Sequence, residues 1–81
     1  MDICKGSIVY SAKGHDKGNL FVVLDAEKDF VYLADGKIRR VSKPKKKKIK
    51  HIVKTNSVAK LDFDNVSDSS LRKCLSEYSA R

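Results

Sequence analysis

The apolar residues of this chain come in short clusters closed by turn residues, and no helical period is sustained before residue 67. Such clusters are too short to make helices and suit strands. A run of short strands with no helix between them leaves a sheet with open edges unless it rolls up on itself. Five such segments therefore predict a mostly β fold, a small five-stranded barrel. With 81 residues there is one thin core and no second globular unit.

Residues 6–12 (Gly-Ser-Ile-Val-Tyr-Ser-Ala) read as a first strand. Residues 13–19 are a loop in which Gly14 and Gly18, helped by an Asx-type residue, supply positive φ. Residues 20–24 (Leu-Phe-Val-Val-Leu) are continuously apolar, as a central strand buried on both faces requires. After a turn at 25–29, residues 30–34 form a third strand. Asp35-Gly36 then signals a type I′ hairpin leading into a fourth strand at 37–41. Ile38 and Val41 are three apart in that segment, so a bulge or an early strand end is expected there. An arm at 42–48 holds Pro44 and four consecutive lysines, and residues 49–53 return as a fifth strand. Residues 1–53 thus make the barrel. Residues 54–81 add an irregular segment and, from Ser67, a C-terminal helix packed on the barrel. Leu71, Cys74, Leu75 and Tyr78 give that helix one apolar stripe, and Ser67 or Asp68 caps its start. A lid over an open barrel end is its expected place, with partner binding as the other use.

Charge is unevenly distributed. Residues 1–36 hold four basic and six acidic side chains, residues 37–60 eleven basic and none acidic, and residues 61–81 three basic and four acidic. The whole net charge of +8 is exceeded by the middle third alone. A field concentrated in this way points to a polyanionic partner. The run Lys37, Arg39, Arg40, Lys43, Lys45, Lys46, Lys47, Lys48, Lys50 and Lys54 can bind phosphates as point charges. A solvated charge run is the plain alternative, and it weakens because apolar strands flank the run. Lys43-Pro44 and the four lysines also look like a nuclear localisation signal, but such signals are peripheral and this one lies inside the domain. In the first loop Lys13, His15 and Lys17 alternate with Gly14, Asp16 and Gly18. Backbone amides there can meet a phosphate beside the lysines, and His15 can stack on a base. An ordinary hairpin loop facing water is the bland alternative.

Other chemistries find little support. No serine or cysteine nucleophile set with a base is apparent, so no enzyme is expected. His51 falls in the fifth strand as a packed or surface residue. Cys4 and Cys74 stand near opposite ends and are expected as free thiols, buried or half-buried, rather than a disulfide. With His15 and His51 they could in principle ligate zinc, but no close ligand pair exists, so no metal or other cofactor is expected. Met1-Asp2-Ile3-Cys4-Lys5 lacks the basic start and apolar run of a secretory leader, and no apolar stretch approaches spanning length. A cytoplasmic protein without membrane contact is the expectation.

The stretch Lys5-Gly6-Ser7-Ile8-Val9-Tyr10-Ser11-Ala12-Lys13-Gly14-His15-Asp16-Lys17-Gly18-Asn19-Leu20-Phe21-Val22-Val23-Leu24 resembles the KOW motif, with Gly14 as its central glycine. Together with Ala34-Asp35-Gly36-Lys37 and Arg40 through Ile52, it resembles the KOW domain of the "L-fourteen-e" family of large-subunit ribosomal proteins of archaea and eukaryotes. It is also similar to free-standing bacterial KOW-domain RNA-binding proteins. The resemblance covers residues 3–53 and implies an SH3-like barrel, ribosomal RNA as partner, and no catalysis. The RNA-facing set it implies is Lys13, His15 and Lys17 with Arg39, Arg40, Lys43, Lys45, Lys46, Lys47 and Lys48, to which the basic run adds Lys50. Residues 54–81 depart from the longer helical extensions of the ribosomal proteins, leaving open a permanent subunit or a transient factor. The expected function is RNA binding by phosphate and shape recognition, on or near the ribosome and as a monomer outside it. The alternative is an adaptor joining ribosomal or transcription components, since related barrels in elongation factors also bind proteins.

Overall fold

The computed structural model describes residues 3–80. Five strands and one helix follow in order: β1 (Ser7–Ser11), β2 (Leu20–Ala26), β3 (Phe30–Ala34), β4 (Lys45–Lys48), a 3-10 turn (Ile49–His51), β5 (Ile52–Val58) and α1 (Asp68–Ser79). The strands form one antiparallel sheet in the order β4-β3-β2-β1-β5. No ladder joins β4 to β5, so the sheet has two edges and hydrogen bonding does not close it.

Period-two alternation sorts the side chains into two layers. On one face Val9, Phe21, Val23, Val31, Leu33 and Ile52 pack together, contributed by four strands. Lys47 of β4 reaches Ser11 of β1 although β3 and β2 lie between them, so the sheet curls around this cluster. On the other face Ile8, Val22 and Ala34 meet Leu71 and Leu75 of α1. β2 is buried from both sides as its apolar run required, with Phe21, Val22 and Val23 at most 1% exposed. The helix begins where serine and aspartate suggested: Ser67 Oγ accepts from the Ser70 amide at 3.1 Å and Ser70 Oγ from the Ser67 amide at 3.0 Å. Each bond satisfies an amide that the helix start leaves open. Leu71, Cys74, Leu75 and Tyr78 all face the sheet, so α1 covers the outer face of the central strands rather than a barrel end.

Four expectations need correction. No strand forms at 37–41. The Asp35 carboxylate accepts from the Lys37 and Arg39 amides, each at 2.9 Å, and Arg39 O accepts from the Asp35 and Gly36 amides. These bonds curl the chain into a turn and remove the groups a ladder would use. The turn is not type I′, because no residue other than glycine has positive φ. The fourth strand is instead Lys45–Lys48, where an arm was expected; the four lysines pair in register with Phe30 to Leu33 of β3. The fifth strand starts at Ile52 and runs to Val58, into the segment read as irregular. At a register shift between β1 and β5, the Thr55 hydroxyl donates to Ile8 O at 2.6 Å and stands in for a ladder bond.

Cys4 is exposed, not buried or half-buried as expected, Cys74 is half-buried, and neither is in a disulfide. Among the described residues no group of acidic, histidine and cysteine side chains is placed to hold a metal ion. No helix among them is long and apolar enough to cross a membrane.

Candidate nucleic-acid interface

The first loop and the lysine strand lie about thirty residues apart in the chain, yet they meet. Residues directly opposite in a sheet share a face. Lys45 and Lys47 share a face with their partners Leu33 and Val31, though only Lys47 is half-buried there, and Lys46 and Lys48 share the other with Tyr32 and Phe30. Lys47 uses its inward position: its Nζ donates to Ser11 Oγ and to Lys13 O, both at 2.6 Å. A side chain on the β4 edge is thereby tied to the end of β1, bridging the curled sheet where no backbone ladder does. The Ala12 amide also donates to His51 O at 2.8 Å, fixing the 3-10 turn to the same place.

These ties gather Lys13, Lys47, Lys48 and Lys50 around His51. His51 is half-buried, and desolvation first, then repulsion from Lys13, Lys50, Lys48 and Lys47, holds its pKa below the usual 6.5. No ion pair among the described residues neutralises those four lysines, so the local field is strongly positive. Lys46 lies over the Phe30 ring, 4.5 Å from its centroid, which fixes the ammonium on the outer face of β3.

The remaining expected residues distribute differently. Gly14 and Gly18 take φ of +81° and +85°, so both supply the backbone reversal the loop requires. Lys13, His15 and Lys17 are exposed around them. Arg39 is occupied: its Nη2 donates to Asp16 Oδ2 at 2.9 Å, and the Asp16 side chain is only 7% exposed. This ion pair joins the 36–39 turn to the first loop. Arg39 Nε is buried without a partner, a cost the ion pair must offset. Arg40, Lys43, Lys45, Lys48 and Lys50 project freely. The basic set therefore divides into anchoring cations, Arg39 and Lys47, and exposed ones.

Two residues of interest escaped the sequence reading. His51 was placed in a strand, and nothing local reveals that its turn docks on Ala12. Tyr10 is 38% exposed on the outer face; alternation from buried Val9 was the signal that could have found it. Lysines on an edge strand have a purely structural use as well, since they discourage pairing with another chain. No protein-family model matches the sequence, and no curated protein matches it.

Proposed function

We propose that this chain is a non-catalytic RNA-binding module with an SH3-like barrel of the KOW type, acting in the cytoplasm on structured ribosomal RNA of the large subunit. The observation that carries this reading is the convergence of Lys13, Lys47, Lys48 and Lys50 on His51 from two separate segments. Edge protection needs charge on β4 alone and does not account for the loop and the 3-10 turn adding to the same field. Phosphates of a folded RNA would supply the missing counter-charge, releasing condensed ions as they bind. The cluster curled between β1, β2, β3 and β5, together with the Lys47 bridge, supports the barrel class. Arg40, Lys43 and Lys17 would extend the contact along the surface, with shape rather than base edges deciding where it binds.

The test is fluorescence anisotropy of a ribosomal RNA fragment at a series of salt concentrations, comparing wild type with Lys13→Gln/Lys48→Gln/Lys50→Gln. Wild-type affinity should fall steeply with salt, and the triple variant should bind more weakly with a log–log slope shallower by about 3, one per lost phosphate contact. An equal slope and affinity would sink the proposal and leave a protein-binding adaptor as the reading to pursue.

A further inference from the structure

The outer face of the sheet carries a groove that the basic surface does not explain. Tyr10, Leu20, Ile38 and Leu75 line it, and Lys37 and Arg72 stand at its border. Tyr10 is 38% and Ile38 64% exposed, so both leave apolar surface in water. Single exposed apolar residues are ordinary. Here, however, the two line one groove, and the turn bearing Ile38 is held open from both ends. Asp35 accepts the Lys37 and Arg39 amides, and Arg72 Nη1 donates to Gly36 O at 2.6 Å. Ile38 is thus presented by a braced turn. Gly18 and Asn19 also line it, so the groove touches the loop that carries Lys13, His15 and Lys17.

Charge decides the kind of occupant. An apolar peptide side chain would fill the groove and leave Lys37 and Arg72 without a counter-charge. A nucleotide offers a flat ring for an aromatic side chain and phosphates for the cations beside it. The acid at the site, Asp35, already directs Oδ1 to two backbone amides. We infer that this groove takes one unstacked base of the bound RNA, stacked on Tyr10 and covered by Ile38, with Lys37 and Arg72 meeting the flanking phosphates. This rests on the RNA-binding reading and adds a preference for RNA with an unpaired nucleotide.

Anisotropy with two RNAs tests it: a fully paired duplex and the same stem carrying a single-nucleotide bulge. Tyr10→Ala should weaken binding of the bulged RNA roughly tenfold, leave the duplex unaffected and preserve the salt slope. Tyr10→Phe should bind both like wild type, because stacking uses the ring and not the hydroxyl. Ile38→Ser, on an exposed turn, provides a second variant should Tyr10→Ala lower the melting temperature, and it should also selectively weaken the bulged RNA. Photocrosslinking from 5-iodouridine at the bulge should reach Tyr10. Equal loss on both RNAs, no loss on either, or a crosslink elsewhere overturns the inference while the RNA-binding reading stands. No salt-dependent binding of any RNA overturns both.

Discussion

Two neighbouring regions carry the positive charge of this chain, and they treat it in opposite ways. The turn from Asp35 to Lys43 is laced with carboxylates: Asp16 pairs with Arg39, Asp35 holds two amides, and Asp68 of α1 accepts the Val41 amide at 2.8 Å. Between Lys45 and His51 no carboxylate side chain pairs with a lysine among the described residues, and lysines face lysines. The first region uses charge to fix backbone; the second leaves it uncompensated. Local bracing and the uncompensated field are thus separable here, and mutations should separate them.

The largest effect should come from the braced turn. Gly36 has φ of +80°, and a Cβ there would run into the carbonyl of Asp68. Gly36→Ala should cost on the order of 2–4 kcal/mol, combining left-handed strain with steric overlap against the helix start. Gly14 shares the positive φ, but a Cβ would meet only the tip of Lys47 at 3.7 Å. Gly14→Val should cost about 1–2 kcal/mol, from backbone strain. Urea midpoints for the two variants check the ranking; equal losses would mean that Asp68 yields without cost.

Next, Asp16→Ala should destabilise by about 1–3 kcal/mol, because Arg39 would keep a half-buried guanidinium without its partner. Screening lowers the figure, since Arg39 remains 30% exposed. In the uncompensated region the contrast lies within one strand. Lys47→Met loses two hydrogen bonds and should cost about 1–2 kcal/mol. Lys48→Gln should leave the melt unchanged and, if phosphates bind there, weaken RNA affinity alone. If Lys47→Met and Lys48→Gln alter the melt equally, the division between anchoring and exposed lysines is wrong.

These differences explain what could be read in advance. β1, β2 and β3 were legible because side-chain alternation and bounding glycines are local signals, and Ser67 marked the helix start for the same reason. The segment from Asp35 to Lys48 was not, because non-local bonds decide it. The Asp35 carboxylate curls residues 37–39, Arg72 braces Gly36 from the far end of the chain, and Asp68 takes the Val41 amide. Four lysines show no hydrophobic alternation, yet β3 accepts them as its edge neighbour because Lys47 can turn inward while Lys46 rests on Phe30. The basic residues of the candidate interface were visible as a list. Which were anchored and which were free depended on three-dimensional neighbours, and Tyr10 and His51 gained interest only through theirs.

The smallest effect is the most local probe of the uncompensated field. His51 binds its proton less tightly in the folded chain than at the ordinary 6.5. As pH falls through 6.5 the unfolded chain takes up that proton first, so the contribution of His51 to stability is complete above 6.5 and declines as pH falls toward the lower folded value. A bound phosphate would offset the repulsion from Lys13, Lys50, Lys48 and Lys47 and raise the imidazole pKa again. Binding would then take up a proton, and affinity should strengthen as pH drops from about 7 to 6. NMR titration of the His51 ring, with and without RNA, measures this directly. An upward pKa shift on adding RNA places phosphate at the junction of the first loop, β4 and the 3-10 turn. An unchanged pKa would put the bound RNA elsewhere, with edge protection left to account for the β4 lysines alone.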